Sequence, residues 1–456
     1  MLAFVKQRIA GWGGWPRVEC AVYRPEKRRG IAEVFAEGGQ PHYIARGLGR
    51  SYGDVSVNPG GGVINTTRLN RMLSFDETAG VLECESGVSL AEILEAFVPR
   101  GWFLPVTPGT KFVTVGGAIA HDVHGKNHHV DGSFGQHVDR FTLLTPTGAL
   151  MSCSPVENED VFWATVGGAG LTGIVLTATV RLQRITSAYL RVDYRRCANI
   201  DATLAAIRET DDKYQYSVAW VDCLSKGAKL GRSVLMSGDH LGAHDLPAQY
   251  GHALSIPRKF QPNVPINLPG FLLNPLFIGS FNALFYAVHP SKDGQIIDYD
   301  SYFYPLDKIQ NWNRGYGKNG FSQYQATFPR EGVEGLVKLL EKLSASGRAS
   351  FLAVLKRMGP GSKGLLSHPI DGWTLTLDIP VKSGLAPFLH ECDELVAKYG
   401  GRLYMAKDAS TRADIFAAMY PRLGEFQAIK AKLDPAGKLS SRLARRCGIV
   451  EGAVDP

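Results

Sequence analysis

The segment from Pro108 to Val138 most restricts what this chain can fold into. It reads PGTKFVTVGGAIAHDVHGKNHHVDGSFGQHV, is rich in glycine, and holds five of the chain's 12 histidines. Its apolar residues are too interrupted for a core segment, whereas Gly116 and Gly117 permit close approach of the backbone to a neighbour. If a helical turn begins over 118–123, its free amides would point at an anionic group. The segment is therefore either a ligand-binding loop or a surface loop with solvated histidines.

Two further glycine clusters flank this segment. GLGRSYGD (47–54) follows a predicted strand at 42–46, and GGAGLTG (167–173) lies between a predicted helix at 157–166 and a predicted strand at 174–182. Glycine-rich turns of this kind form backbone nests that receive phosphate oxygens. The first is not the GxGxxG dinucleotide fingerprint, because no long amphipathic helix follows it. The three segments together predict one cofactor-binding domain of mixed α and β structure.

Length and charge limit the classes of function. A chain of 456 residues favours two domains. The net charge of +7 favours anionic partners such as phosphorylated substrates or an acidic membrane surface. Because the basic residues are scattered, nucleic-acid binding has little support. Seven cysteines without a CxxC pair favour reduced thiols over a disulfide framework or a zinc site.

The segment from Gln261 to Pro290 is apolar but interrupted by prolines, so it cannot form one helix across a bilayer. Two interpretations stay open: a mobile flap that touches lipid or covers a long apolar substrate, or a buried irregular connection. The N-terminus lacks the apolar run of a secretory signal. The apolar side chains of the segment are those of Phe271, Leu272, Leu273, Leu276, Phe277, Ile278, Phe281, Leu284 and Phe285.

Three late strands alternate polar and apolar residues. The predicted strands at 321–327, 351–358 and 373–379 each place polar side chains on one face. Those polar residues form either the wall of a substrate cavity or the solvated face of an antiparallel sheet. Amphipathic helices at 333–343 and 385–399 would cover the other face. Lys407 lies in a loop after a further strand, which is a common place for a functional group.

Five motifs together resemble the flavin oxidoreductases of the vanillyl-alcohol oxidase type: GLGRSYGD, the run at 108–135, GGAGLTG, NRGYGKNGFSQYQ (313–325) and RLYMAKD (402–408). Within that superfamily the chain most resembles the decaprenylphosphoryl-β-D-ribose 2′-oxidase family, the flavin subunits of an epimerase. The resemblance covers nearly the entire chain, and HGKNHH at 124–129 is its most specific motif.

This resemblance implies an α+β fold of two domains with FAD bound in the PCMH manner. The FAD-binding domain would span 1–185 and be completed by 405–456. The substrate-binding domain would span 186–404 and be built on an antiparallel sheet covered by helices.

The resemblance also implies the residues around FAD and substrate. It places cofactor contacts at Ala45, Arg46, Gly47, Leu48, Gly49, Arg50, Ser51, Tyr52, Gly53, Asp54, Val55, Gly109, Thr114, Val115, Gly116, Gly117, His124, Gly125, Lys126, Asn127, Ile174 and Tyr404. It implies catalytic roles for Lys407, His124 and Tyr52. Substrate contacts would come from Lys126, Gln323, Gln325, Lys356, Thr376 and Asp378.

Among these residues, Lys407 is expected to position the substrate hydroxyl or to support the reduced flavin. His124 is expected either to act as a base or to hydrogen-bond the cofactor. The other histidines of the loop are interpreted as structural, because their spacing lacks carboxylate or thiolate support for a metal site. They are His121, His128, His129 and His137.

Three positions depart from the family pattern. Arg50 stands where many members of the superfamily carry the histidine that bonds FAD covalently, so FAD is expected to be dissociable. Thr376 stands where the family commonly has cysteine, and Thr374 where it commonly has asparagine. Thiol-directed inhibitors of the family should therefore fail to attach at Thr376, and the departures leave the lipid substrate open.

The implied reaction is FAD-dependent oxidation of a secondary alcohol on a polyprenyl-phosphoryl sugar, which gives a keto-sugar for arabinose-donor synthesis in the cell wall. An NAD(P)H-dependent short-chain reductase would be the partner, because the keto intermediate must be reduced on the opposite face. No nicotinamide fingerprint is visible in this chain. A cytoplasmic location with peripheral contact at the inner membrane would suit such a substrate. The alternatives are a soluble alditol or aldonolactone oxidase that uses oxygen, and a flavin-binding subunit without turnover.

Overall fold

The computed structural model describes residues 3–257, 259–269, 274–348 and 352–452, and the side chains of residues 275 and 277 lie outside that description. The strands, in chain order, are β1 (Val5–Ile9), β2 (Val18–Tyr23), β3 (Tyr43–Arg46), β4 (Gly62–Asn65), β5 (Met72–Asp76), β6 (Val81–Glu85), β7 (Trp102–Phe103), β8 (Val138–Leu144), β9 (Leu150–Cys153), β10 (Ile174–Arg181), β11 (Gln183–Arg184), β12 (Tyr189–Cys197), β13 (Tyr216–Val221), β14 (Ser233–His240), β15 (Lys292–Asp298), β16 (Phe321–Pro329), β17 (Ala353–Met358), β18 (Gly372–Pro380) and β19 (Arg402–Leu403).

The α-helices lie between and after these strands. They are α1 (Arg28–Glu37), α2 (Leu90–Phe97), α3 (Val115–Ala120), α4 (His128–Asp131), α5 (Glu159–Thr165), α6 (Ile200–Thr210), α7 (Pro275–Val288), α8 (Tyr299–Phe303), α9 (Val333–Ser346), α10 (Leu385–Lys398), α11 (Ala413–Met419), α12 (Leu423–Leu433) and α13 (Arg442–Arg446).

Two smaller sheets carry the glycine-rich segments. In the four-stranded sheet the order is β1-β2-β4-β3, with β2, β4 and β3 parallel. In the five-stranded sheet the order is β5-β6-β10-β8-β9 and the pairs are antiparallel. The 47–54 nest follows β3, and the 167–173 nest connects α5 to β10, as the sequence predicted. Each nest therefore adjoins the end of a sheet strand, the first after β3 and the second before β10.

The third large sheet has eight strands in the order β15-β12-β14-β13-β17-β18-β16-β19. Its register pairs Gln325 with Thr376 and Gln323 with Asp378, while Val354 on β17 also pairs with Thr376. The opposite face of β16 and β18 is apolar and buried; α9 packs over both strands, and α10 packs over β16 and β19. The α+β class and the helix-covered antiparallel sheet are thus confirmed, whereas the domain boundaries stay a prediction. The side chains that α9 and α10 bury there are those of Leu336, Leu339, Leu340, Leu343, Leu385, Leu389, Cys392 and Val396.

Two helix starts test the sequence patterns. The predicted capping box of α2 is confirmed, because the Ser89 hydroxyl accepts from the Glu92 N–H and the Glu92 carboxylate accepts from the Ser89 N–H. The helical turn expected over 118–123 is placed too late. Helix α3 begins at Val115, and the Thr114 side chain accepts from the N–H of Gly117 at 3.2 Å. The glycines therefore lie inside the helix rather than before it.

The segment at 261–290 is only partly described. Residues 275–288 form the helix α7, so a buried irregular connection is wrong for this part. Its outer side chains are exposed, with Leu276 at 81% and Leu284 at 61%. The expected apolar residues Phe271, Leu272 and Leu273 lie outside the described residues, as does the first residue of the predicted strand at 351–358. Within the described ranges, no helix has the length and apolar character that crossing a membrane requires.

The C-terminal segment packs back onto the first sheet. Tyr43 on β3 forms a parallel bridge with Leu439. The fully buried carboxylate of Asp54 accepts hydrogen bonds from Arg442 at 2.7 Å and from Arg446 at 2.9 Å. Arg446 also donates to Asp408 at 2.9 Å. Helix α13 thus ties the nest at 47–54 to the loop that carries Lys407.

Candidate active site

A cavity of about 280 Å³ lies between the glycine-rich segments and the eight-stranded sheet. One wall is formed by the two nests and the 108–126 segment, whose contribution is mostly backbone. The other wall, called the sheet wall below, is formed by side chains of β16, β17 and β18 and by the loop that carries Lys407. The polar residues of the late strands therefore face a cavity, and the solvated-face alternative is wrong.

Most of the predicted site residues line this cavity. Those that do are Ala45, Arg46, Gly47, Leu48, Gly49, Arg50, Ser51, Tyr52, Val55, Gly109, Thr114, Gly116, Gly117, His124, Gly125, Lys126, Ile174, Gln323, Gln325, Lys356, Thr376, Tyr404 and Lys407.

Five predicted residues stand behind the cavity wall instead: Gly53, Asp54, Val115, Asn127 and Asp378. Asp54 is bonded to the arginines of α13, and Val115 is fully buried in an apolar cluster. Asn127 donates to the Pro105 carbonyl at 2.7 Å. An added Cβ on Gly53 would overlap the backbone of residue 408. These four hold the lining segments in place, and Asp378 is considered below.

Glycine is required where two segments of the backbone wall meet. A Cβ on Gly47 would lie 2.3 Å from the Thr114 hydroxyl oxygen, and one on Gly116 would lie 2.9 Å from the Ser86 Cβ. Real Cβ atoms do not approach neighbours so closely, so each position needs glycine. A Cβ on Gly109, by contrast, would have no atom within 4 Å. The wall is therefore tightest where the first nest contacts the start of α3.

The polar atoms of the cavity suit a large polar cofactor. Within the described residues, four buried atoms of the lining have no hydrogen-bond partner: Arg50 Nε, Ser86 Oγ, His121 Nδ1 and His124 Nδ1. A buried polar atom without a partner costs about 1–3 kcal/mol, so such atoms are normally paired when the site is filled. Together with the glycine backbone, they fit the phosphates and heterocycles of FAD.

Arg50 is held at the mouth of the first nest by aromatic rings. Its guanidinium carbon lies 3.8 Å from the Trp12 ring centre and 5.1 Å from that of Phe112. Burial lowers the pKa of Arg50, and the nearby Asp307 opposes that shift. An arginine stays charged under these conditions. The Arg50 side chain is thus a cation that stacks against aromatic rings at the first nest.

His124 is buried against the sheet wall. Its Nε2 lies 2.9 Å from Gln325 Nε2, and that amide also donates to the Thr374 hydroxyl at 3.2 Å. Because the amide nitrogen donates, His124 Nε2 accepts and Nδ1 carries the proton. Burial and nearby Lys356 hold the pKa of His124 well below its usual range. The imidazole is therefore neutral, with an N–H free to donate to a ligand.

Lys407 lines the cavity from the loop that completes the sheet wall. Its ammonium nitrogen lies 3.9 Å from the centre of the Tyr52 ring. Burial lowers the pKa of Lys407 to about 7, and the carboxylate of Asp378 opposes the shift. Burial also raises the pKa of Asp378 to about 7, although Gln323 and Tyr316 donate to it at 2.6 Å and 3.2 Å. The pair thus lets Lys407 change its charge near neutral pH.

Two further lysines border the cavity. Burial lowers the pKa of Lys126 to about 7 and that of Lys356 to about 8. Lys126 donates to the carbonyl of Tyr302 and lies 4.3 Å from that ring centre. An anionic ligand would restore the charged form of both side chains. The lysines make this part of the cavity suited to phosphate or to sugar oxygens.

Sequence reasoning missed several lining residues. His121, interpreted as structural, lines the cavity, with its Nε2 at 3.3 Å from the Ser51 hydroxyl. The cavity is also lined by Phe303 at the end of α8 and by Pro305 and Leu306 after it, and no motif marks these residues. His128, His129 and His137 bond to backbone groups, in agreement with a structural role. Helix α3 begins at Val115, so His121 directly follows its last residue. A predicted helix with this start would have identified His121 as a candidate.

Known proteins resemble this chain along nearly its whole length. A family model for an FAD binding domain matches residues 21–154, and one for D-arabinono-1,4-lactone oxidase matches residues 376–447. The chain is 40% identical over 450 residues to decaprenylphosphoryl-beta-D-ribose oxidase of Mycolicibacterium smegmatis. The matched region is 96% of this chain and 97% of the relative.

Two other relatives are more distant. An uncharacterised protein of Streptomyces coelicolor is 35% identical over 372 residues, which are 79% of this chain and 100% of the relative. L-gulonolactone oxidase of Bos taurus is 24% identical over 436 residues, which are 91% of this chain and 92% of the relative.

Proposed function

The chain belongs to the vanillyl-alcohol oxidase type of FAD-dependent oxidoreductases, and from this premise we propose that it oxidises a secondary alcohol of a polyprenyl-phosphoryl sugar to a ketone. The observation that carries this proposal is the sheet wall, where Lys356 and Lys407, whose pKa values are lowered by burial, stand beside amides and hydroxyls. The 40% identity to decaprenylphosphoryl-beta-D-ribose oxidase supports the choice of substrate class.

FAD supplies the hydride acceptor when it is bound. The glycine-rich wall would hold it, with the Nδ1–H of His124 and the guanidinium of Arg50 as donors to the cofactor. Arg50 leaves no covalent link, so acid denaturation should release all of the flavin into the supernatant. Flavin that stays with the precipitated protein would contradict this part of the proposal.

Lys407 takes the hydroxyl proton as the carbinol C–H bond breaks. In its neutral form the amine can accept that proton, and the pKa of about 7 makes this form available near neutral pH. Tyr52 fixes the amine from one side, and Asp378 supplies the nearby charge. Sugar and phosphate oxygens are held by Lys126, Lys356, Gln323 and Gln325, and Thr376 contributes a hydroxyl from the strand position opposite Gln325.

The keto-sugar product requires a second enzyme if the overall reaction is an epimerisation. An NAD(P)H-dependent short-chain reductase that delivers hydride to the opposite face is the class of partner that fits. The lipid tail of the substrate would keep the protein at the surface of the inner membrane from the cytoplasmic side. The exposed apolar residues of α7 support such peripheral contact.

Anaerobic titration with polyprenyl-phosphoryl ribose tests the reaction directly. We expect stoichiometric loss of the flavin band near ~450 nm, because hydride transfer reduces the cofactor. Purified protein that takes up no FAD, or FAD-loaded protein that this substrate does not reduce, would refute the proposal.

A second candidate is the oxidation of free alditols or aldonolactones with oxygen as acceptor. The match of residues 376–447 to the D-arabinono-1,4-lactone oxidase model favours it. Rapid peroxide formation with free sugars or lactones, without flavin reduction by the lipid-linked sugar, would support this candidate over the first.

A further inference from the structure

A second pocket, of about 240 Å³, lies outside the flavin cavity. Arg17, Arg314 and Lys318 contribute three positive charges to its lining, and Asn267 and Asn313 add amides. The described lining contains no carboxylate. Among the described residues, neither Arg17 nor Lys318 has an ion pair or a hydrogen bond through its side chain. The three cations of this small polar pocket therefore have no anionic partner in the part of the chain that the structure describes.

The pocket has a fixed floor beside the flavin cavity. The Gly13 N–H donates to the Tyr52 carbonyl at 3.2 Å, and the Phe321 N–H donates to the Gly13 carbonyl at 2.8 Å. A Cβ on Gly320 would lie 2.1 Å from the Gly13 carbonyl oxygen, so the two segments touch through glycine. Because Tyr52 lines the flavin cavity, this floor is hydrogen-bonded to a residue of that cavity's lining.

A strap at 262–269 forms one rim of the pocket. The Arg314 guanidinium donates to the carbonyls of Val264 and Pro265, and the Leu268 N–H donates to the Arg314 carbonyl. On either side of Asn267, the side chains of Ile266 and Leu268 are 67% and 37% exposed. An arginine has five N–H donors, so the two carbonyl contacts of Arg314 leave others for a ligand. The rim thus joins cationic donors to exposed apolar side chains.

Helix α7 carries a second exposed apolar surface. Its inner residue Ile278 is fully buried in a cluster with Tyr52, Tyr316 and Phe321, and the last two flank the pocket residues 317–320. The 14 residues of α7 include no charged side chain, and its outer face exposes Leu276, Leu284 and Val288. A helix whose solvent face is apolar and uncharged is suited to lie in a membrane interface.

We propose that this pocket binds the phosphate of an anionic membrane lipid while α7 and the strap contact the acyl region. The charge of the pocket matches a phosphodiester, and the apolar surface beside it matches the lipid that carries one. This inference deepens the peripheral contact included in the proposed function. It identifies the residues that contact the lipid, and it does not depend on which alcohol is oxidised.

Vesicle flotation of the FAD-loaded protein tests the pocket. The protein should float with vesicles of phosphatidylglycerol and phosphatidylcholine and much less with phosphatidylcholine alone. Replacing Arg17→Glu and Lys318→Glu together should weaken binding to the anionic vesicles by at least about tenfold, because each basic group near such a surface contributes about 1 kcal/mol. The control pair is Lys398→Glu with Lys432→Glu, which makes the same charge change on the exposed faces of α10 and α12.

Two further arms identify what is bound. Inorganic phosphate should release the protein from anionic vesicles more effectively than chloride at equal ionic strength. Leu276→Glu with Leu284→Glu should reduce binding to both kinds of vesicle. Equal binding to both vesicle types, equal effects of the two charge-reversed pairs, or equal release by phosphate and chloride would each overturn the proposal.

Failure of the pocket and failure of the proposed reaction can be separated. The charge-reversed variants contain no residue of the flavin cavity, so their FAD content and their reduction by polyprenyl-phosphoryl ribose in detergent should match the parent protein. Vesicle binding without flavin reduction would refute only the reaction. Flavin reduction without selective binding to anionic vesicles would refute only the pocket.

Discussion

The two walls of the flavin cavity are built on different principles. The glycine-rich wall presents backbone, and its tightest contacts are those in which a single Cβ would collide with a neighbour, as at Gly47. The sheet wall presents side chains at alternate strand positions, and it includes Lys356 and Lys407, whose pKa values are lowered toward neutrality by burial. The first wall therefore depends on shape, and the second depends on charge. Substitutions should accordingly affect cofactor retention at one wall and turnover at the other.

The largest expected effect is on turnover at the sheet wall. Lys407→Met should lower the rate of anaerobic flavin reduction by about 10²–10⁴-fold, which is the usual contribution of a positioned proton acceptor. FAD content should stay close to that of the parent protein, because the cofactor is held mainly by the other wall. Lys398→Met, on the exposed face of α10, is the matched control. Full turnover in the Lys407 variant would remove this residue from the mechanism.

The next largest effect concerns cofactor retention at the glycine-rich wall. In Gly47→Ala the new Cβ would lie 2.3 Å from the Thr114 hydroxyl oxygen, so the nest must move away from α3. Overpacking costs about 1–3 kcal/mol, which corresponds to about 5–150-fold weaker FAD binding. Gly109→Ala lines the same cavity without any atom within 4 Å of its Cβ, and it should bind FAD normally. Equal FAD dissociation constants for the two variants, measured by flavin fluorescence, would show that the wall is not limited by shape.

A smaller effect should appear in the pH profile. Because neutral Lys407 accepts the proton, the rate should rise with pH through about 7. The carboxylate of Asp378 raises the pKa of Lys407, so in Asp378→Asn this rising limb of the pH–rate profile should shift to lower pH by about one unit. Asp393→Asn is a control, since it removes a buried carboxylate that bonds to Tyr324 and Thr411 instead. A limb that stays in place or moves to higher pH would contradict the proposed pairing.

The smallest expected effect tests the departure at Thr376. All seven cysteines are buried and none lines the cavity, so a thiol-directed reagent should form no adduct there in the parent protein. Thr376→Cys is close to volume-conserving, and turnover should change by less than about tenfold. Mass spectrometry should detect one added label on the peptide containing residue 376 of this variant alone. A cavity adduct in the parent protein, or an unlabelled variant, would contradict the assignment of this position to the wall.

The same contrast explains what could be predicted from the sequence. The nests were predictable because a tight turn needs glycine locally, and the strand faces were predictable because side chains alternate. His121 was misjudged, since its place at the cavity depends on where α3 begins. The outer face of α7 was not predictable, because an apolar helix of this length is compatible with burial or with exposure. The bond between Asp54 and Arg446 joins residues 392 positions apart, and no local pattern marks it.

That long-range bond has a consequence for biosynthesis. The Asp54 carboxylate is fully buried, and its partners on α13 emerge from the ribosome only after almost all of the preceding chain has been made. A buried carboxylate without its partner is strongly destabilising, at about 3–5 kcal/mol. The first nest therefore needs α13 before it can adopt its final structure. We expect FAD capture to follow the synthesis of α13, and chains truncated before Arg442 should be cleared by proteases rather than persist as empty flavoprotein.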